Sequence, residues 1–232
     1  MIDVTTQASP GSESRIRLSR ERVLRAAVAV ADERGIESLT MRRLAEVLGA
    51  EAMSLYYHVS NKDDLLDGVV DLVGREINEA VADPPATGGG WKDIARRRIL
   101  TAREVLLRHR WAPAVFESRT AASPEVLRYL DGLLGIMRGG GFSSDLAHHA
   151  MHALGSRAFG FTQELFTPAG AAPPSPDALD HMAAQLPNLV AMLRDISHDD
   201  HDSTLGWCDD QAEFEFGLDL VLDGLDRLRG TR

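Results

Sequence analysis

Apolar residues recur along this chain at helical spacing, and Gly, Pro, Ser and Thr punctuate the runs. The first run places Val23, Ala27, Val30 and Ala31 on one face. Ser19 stands where an N-cap should, Leu18 and Val23 form a hydrophobic staple around it, and Gly35 ends the run. Thr40 then caps a helix whose Met41, Leu44, Ala45 and Leu48 fall at i, i+3, i+4 and i+7, with Gly49 placed to stop it. A short segment from Ala52 to His58 turns Leu55 and Val59 inward and keeps Ala52, Met53, Tyr56 and Tyr57 on its outer side. A fourth helix opens at Ser60, with Asp63 three residues on as in a capping box, and Leu66, Val70, Val73, Ile77 and Val81 form its stripe. Asp83-Pro84-Pro85 and Gly88-Gly89-Gly90 break the pattern.

The remainder reads as helical too. Trp91 to Arg108 is one segment, stopped near Pro113. Ser123-Pro124-Glu125 combines a cap, an N1 proline and a first-turn acid, launching a helix that ends in Gly139-Gly140-Gly141. Ser143 or Ser144 caps the next, which reaches about Phe166. A Pro- and Ala-rich loop, Thr167 to Pro176, precedes a helical stretch from Asp177 to Ile196 broken at Pro187. An acidic, His-containing loop then leads to a last helix from about Asp209 to Leu228. Asp-Gly pairs at 67, 131 and 223 sit inside helical periodicity, so they are not read as hairpins, and the fold class is all-α.

Two of these helices carry sustained apolar seams. Ala147, Met151, Leu154, Ala158, Phe161 and Leu165 alternate spacings of four and three, as do Phe214, Leu218, Val221, Leu225 and Leu228. Gly217 and Gly224 allow close backbone approach on the second. Such seams suit a bundle crossed at about 20°. They serve either an intrachain core or a face shared with a second copy of the chain.

Helix, tight turn, short helix over residues 40 to 58 is the spacing of a helix-turn-helix, whose second helix enters a DNA major groove. Charge supports that direction. The net charge is −10, yet Ser14 to Lys62 holds nine basic and six acidic residues, so a mildly basic head precedes an acidic body. Residues 1 to 17 are polar and Ser/Gly-rich, a loose arm through which Arg15 and Arg17 could reach DNA.

The run Leu-Tyr-Tyr-His-Val-x-Asn-Lys-x-x-Leu-Leu resembles the signature of the tetracycline-repressor (TetR) family of transcriptional regulators. The preceding Gly-Ile-Glu-Ser-Leu-Thr-Met-Arg-Arg-Leu-Ala-Glu-Val-Leu-Gly fits the same family, and the likeness is specific over about residues 18 to 72. Phe-Glu-Phe-Gly-Leu-Asp-Leu-Val-Leu-Asp-Gly-Leu looks like the last helix of the tetracycline-binding branch. The resemblance implies an arm over 1–17, a helix-turn-helix domain over 18–64 and an all-helical effector-binding and dimerisation domain over 65–232. It implies a homodimer on a palindromic operator, released when a small molecule enters the body. Thr40, Met41 and Arg42 would meet the duplex at the start of the second helix, with Arg42 reaching guanine. Ala52, Met53 and Tyr56 would face bases, and Ser54, Tyr57, His58 and Lys62 would grip phosphates. The dimer face would comprise Met151, Leu154, Ala158, Phe161, Leu165, Phe214, Leu218, Val221 and Leu225.

Positions matching the tetracycline branch's pocket are Asn78, Arg98, Phe116, Leu130, Leu133, His148, Met151, Ser156 and Glu164. Tetracycline repressors hold a magnesium-chelated drug with two histidines and a glutamate, where this chain has Phe116, Ser156 and Glu164. Neither magnesium nor tetracycline is therefore expected. The replacements point to an apolar, aromatic or polyketide-like effector with Arg98, His148 and Glu164 as polar anchors.

Other chemistry finds little support. The single cysteine, Cys208, rules out an intrachain disulfide and suits a reducing compartment. No apolar run approaches the ~20 residues that span a bilayer, and the first residues lack a signal-peptide core, so a cytoplasmic protein is expected. His148 and His152 share a helix face at i, i+4, but no Glu-x-x-His pattern accompanies them, and no cofactor or metal is expected. His198 and His201 among aspartates read as a solvated loop. Two rival readings remain: a DNA-binding regulator without an effector, and a metal-dependent helical enzyme using His148, His149 and His152.

Overall fold

A computed structural model describes residues 17–82, 89–120, 123–160, 175–196 and 210–230, with the side chains of 156–160, 192, 193, 195, 196 and 210 outside that description. Eleven α-helices and no strand occur among the described residues. The chain forms two compact units, divided between Leu72 and Val73.

In the first unit, α1 (Arg20–Arg34) is capped by Ser19, whose hydroxyl accepts from the Arg22 amide. Val23, Ala27, Val30 and Ala31 are buried as the periodicity requires. After a 3-10 turn, Ile36–Ser38, α2 (Met41–Leu48) begins at Thr40, whose Oγ1 accepts from the Arg43 amide at 3.1 Å. Gly49 closes α2 at φ +62°, a left-handed conformation that costs a residue with a Cβ. Helix α3 is shorter than its expected span. It covers Ala52–Leu55, and Tyr56 to His58 continue as a turn. Leu55 and Val59 are buried, while Tyr56 and Tyr57 lie beyond the last regular turn and are exposed.

Helix α4 (Lys62–Ala80) starts later than Ser60. The Asn61 Oδ1 accepts from the Asp64 amide at 2.8 Å, while the Asp64 carboxylate accepts from the Ser60 amide at 2.7 Å. The carboxylate that closes the cap is thus Asp64, not Asp63; Val70, Val73 and Ile77 of the expected stripe are buried, and Leu65 takes the place of Leu66. Leu65, Val69 and Val70 are buried in the first unit, and Leu66 is half-exposed. Arg20 of α1 locks this corner, bonding the His58 carbonyl at 2.8 Å and Asp64 Oδ1 at 2.6 Å.

The second unit begins with the C-terminal half of α4. Its core is built from α5 (Trp91–Arg108), α7 (Pro124–Gly139), α8 (Ser144–Gly160) and α11 (Asp210–Arg229). Pro113 does not end the helical path. It occupies the first turn of a further short helix, α6 (Ala112–Ser118), where its missing N–H costs nothing. Ser123 caps α7 as its sequence demands. The stretch before Ile196 is two helices, α9 (Pro176–Ala183) and α10 (Pro187–Ile196), each with proline at its first position.

Trp91 and Phe142 meet edge-on at 4.5 Å, and the Trp91 indole N–H donates to Asp226 at 2.9 Å. A Cβ on Gly140 would sit 2.6 Å from the Trp91 Cβ, so the end of α7 reaches α5 only because that residue is glycine. Polar ties run along α5 and α11 as well: Lys92 to Asp223, and Arg96 to Asp219 and Glu215 at 2.7 Å each. The paired carboxylates raise the Arg96 pKa, so this cation keeps its charge at any working pH.

The described part of each seam faces inward except at Leu228, which is 53% exposed. Leu154, Phe214, Leu218 and Leu225 are buried in the core of their own chain, with Met151 and Val221 packed against it. These six were expected on a dimer face; within the single chain the first four are covered by their own core, while Met151 and Val221 are only partly buried. Regular four-three spacing identifies an apolar stripe without saying which partner covers it. Ala158 lies in α8 with its side chain undescribed, and Phe161 and Leu165 fall outside the described residues.

Candidate nucleic-acid interface and body cavity

The outward side of the first unit is assembled from α2, α3 and the turn after α3. Met53 is 72% exposed and Tyr57 89%, so both present their full side chains to the surface. Tyr56 is exposed beside them, Ala52, Ser54 and His58 are half-exposed, and Lys62 is exposed at the start of α4. The Ser54 hydroxyl already donates to the Glu51 carbonyl at 2.6 Å, so it remains an acceptor more readily than a donor. On α2, Thr40 is exposed but its Oγ1 is engaged in the cap. Met41 is half-exposed. Arg42 stands in solvent, tied only loosely to Glu46 at 3.2 Å. All ten expected DNA-facing residues thus reach the surface of one unit.

The sequence did not single out Arg20. By pinning both the His58 carbonyl and Asp64, it sets the angle between the tyrosine turn and α4. Hydrogen bonding from Arg20 holds the Asp64 carboxyl below its ordinary range, despite some burial, and raises Arg20 in turn.

The second unit contains an apolar cavity of about 50 Å³, walled by α4, α5, α6, α7, α8 and α11. That is the space of on the order of three or four waters. Phe116, Leu130, Leu133 and Met151 line it, as expected of pocket residues. Asn78 and Arg98 do not. The Asn78 amide donates to the Glu125 carbonyl at 2.8 Å and its carboxylate at 2.9 Å, tying α4 to the start of α7. Arg98 lies 4.9 Å over the ring of Tyr129 and donates to the Tyr129 carbonyl, so it stands behind a lining residue. Its Nε is buried with no hydrogen-bond partner among the described residues, and burial lowers its pKa. His148 is exposed on the outer side of α8, away from the lining. It packs edge-on to His152 at 4.7 Å and His149 at 5.8 Å, and no group of three metal-ligating side chains occurs among the described residues. Ser156 has no described side chain, and Glu164, His198, His201 and Cys208 lie outside the described residues.

Two polar groups in the wall were missed. Tyr129 lines the cavity, and burial pushes its phenol up to about 12, so it stays neutral. Arg103 is 7% exposed, its guanidinium 4.2 Å over the Phe214 ring and its Nε donating to Gln211 at 3.0 Å. A signal for Arg103 was present. It continues the four-residue series Trp91, Ala95, Ile99 on the buried side of α5.

An exposed reading surface on a helix-turn-helix, in a chain whose other unit encloses an apolar cavity, defines a DNA-binding regulator. The profile of bacterial regulatory proteins of the tetR family matches residues 23–69, and that of the tetracyclin repressor-like C-terminal domain matches residues 84–229. The chain belongs to the TetR family of transcriptional regulators. An HTH-type transcriptional regulator of Saccharopolyspora erythraea is 35% identical over 147 residues; the match covers 60% of this chain and 61% of that protein. The class D tetracycline repressor protein of Escherichia coli is 30% identical, over 90% of each chain. The crystal structure of ActR from Streptomyces coelicolor, in complex with actinorhodin, is 26% identical with a TM-score of 0.70, over 93% of this chain and 100% of that one.

Proposed function

We propose that the chain is a homodimeric repressor, acting in the cytoplasm, that binds a two-fold-symmetric operator and leaves it when a small apolar or aromatic effector enters the body. The observation that carries this reading is the wall of the cavity. Gly74 and Ile77 in it belong to α4, the helix whose first residues lie next to the tyrosine turn. The space is too small for a drug-sized molecule, since ligand pockets run to several hundred Å³. An effector must push the wall apart, and α4 is one of the pieces that can yield. The complex of ActR with actinorhodin supports a small-molecule effector.

One recognition helix buries too little to specify a site, so two heads about one helical turn apart are needed. The surface for pairing is a second stripe on α11, where Phe216 and Leu220 are 64% and 58% exposed, together with Leu228 at the end of the first seam, 53% exposed. Phe214 and Phe216, two residues apart, point to opposite fates, one to the core and one to a partner helix. The exposed side of α8, with His148, His149 and His152, would contribute beside it.

Fragments selected from the source genome by the purified protein should share an inverted repeat. Titrating such a fragment with and without a bound effector tests the release; equal affinities would reject it.

A further inference from the structure

We propose that the effector carries an uncharged carbonyl on its apolar frame, as an aryl ketone does, and that the Tyr129 phenol donates a hydrogen bond to that oxygen. The inference rests on the reading of the cavity as an effector site and narrows its ligand. Tyr129 and Arg103 are the two side chains with N–H or O–H groups among the described lining residues. Arg103 is already engaged by Gln211 and by the Phe214 ring. The Tyr129 hydroxyl has no hydrogen bond to another group among the described residues. A tyrosine so placed ordinarily finds a partner for its O–H.

Tyr129 keeps accessible surface, yet its surroundings are dry enough that burial pushes the phenol up to about 12. The two observations agree when that surface faces the cavity, which Tyr129 lines. Arg98 of α5 fixes the ring from behind. Its guanidinium lies 4.9 Å from the ring centroid and donates to the Tyr129 carbonyl at 3.2 Å. Gly132, three residues on in α7, leaves the guanidinium its place, since a Cβ there would collide with it. A cation over the ring draws density from the phenol, which strengthens it as a donor more than as an acceptor. Burial meanwhile keeps the phenol neutral, so the proton it donates is present at any working pH. An uncharged carbonyl needs one donor and no counter-ion, which suits a mostly apolar wall.

The test pairs acetophenone with α-methylstyrene, in which a CH2 replaces the ketone oxygen, and titrates each calorimetrically into the full-length protein. Tyr129→Phe removes the hydroxyl alone. It should lower the ratio of acetophenone to α-methylstyrene affinity about fivefold, the factor that one neutral hydrogen bond supplies, and leave α-methylstyrene binding unchanged. A ratio that Tyr129→Phe does not alter, with both probes still bound, would overturn the contact and leave the cavity reading intact. Leu130→Trp fills the space from its wall and should abolish binding of both probes. Binding that survives it, in a protein of unchanged melting temperature, would place the probes elsewhere and overturn the cavity reading together with the contact. Failure of both probes to bind the wild type would do the same. Acetophenone that binds through Tyr129 without weakening operator affinity would uphold the contact and reject the cavity as the switch.

Discussion

At Lys62 and Met53 two kinds of contact are separable by chemistry. Lys62 offers a point charge, which neutralises a phosphate and displaces a counterion whatever the sequence. Lys62→Ala should therefore weaken binding to operator and to random DNA alike, and flatten the slope of log affinity against log salt by about one unit. Met53, 72% exposed on α3, offers only shape and methyl contact. Met53→Lys should change which operator bases are preferred, as read by selection from a randomised half-site. Unchanged preference would place Met53 off the bases. Asp64 yields a prediction about pH. Its folded-state pKa is depressed by Arg20, so its contribution is full above the ordinary carboxylate range and is lost as pH falls through the depressed value. Melting temperatures of wild type and Asp64→Asn should differ at pH 7, and the difference should shrink as pH falls below the ordinary carboxylate range. The difference should be small, because the pair is partly solvated.

Helices α8 and α11 show what a periodic pattern can and cannot tell. The spacing of Phe214, Leu218, Val221 and Leu225 correctly marks one apolar face of α11, but period alone does not distinguish a core within one chain from a face between two. Phe216 and Leu220 form a second, exposed apolar set on another side of α11, which a helix with a single apolar face would not carry. Leu220→Glu should leave the fold intact, since the residue is exposed in the monomer, and shift the protein from dimer to monomer in sedimentation equilibrium. A variant that stays dimeric would move the interface elsewhere. The helix-turn-helix was legible because Thr40, Gly49 and the tyrosine pair are local: caps, turn glycine and surface residues need no distant partner to be recognised. The cavity wall was legible only in part. Phe116, Leu130, Leu133 and Met151 line it, whereas Asn78 and Arg98 are consumed by Glu125 and Tyr129, residues 47 and 31 positions away. Long-range polar pairing of that kind leaves no periodic trace. The start of α4 slipped by one residue for a local reason, because Asn61 and Asp64 cap better than Ser60 and Asp63 once Arg20 joins them.

Across the whole molecule, α4 is the covalent link between the two units, with Lys62 at one end and Gly74, Ile77 and Asn78 toward the other. Any influence of the cavity on the DNA-reading head can travel along this helix, and the sequence supplies a tether that would set how freely it moves. Asn78 holds α4 to the first turn of α7 through both the carbonyl and the carboxylate of Glu125, and Arg128 in turn engages that carboxylate at 2.8 Å. Asn78→Leu would leave the buried Glu125 groups short of a donor and loosen the tether, at a cost of about 1–3 kcal/mol in stability. If the tether fixes α4 in its DNA-binding position, the variant should bind operator several-fold more weakly in the absence of any effector. It should also bind effector more tightly, because less work remains to displace the helix. Linkage makes the two measurements check each other: whatever factor the effector takes from operator affinity, operator DNA must take from effector affinity, in wild type and variant alike. A variant with weakened operator binding and unaltered effector affinity would mean that Asn78 stabilises the body without belonging to the switch.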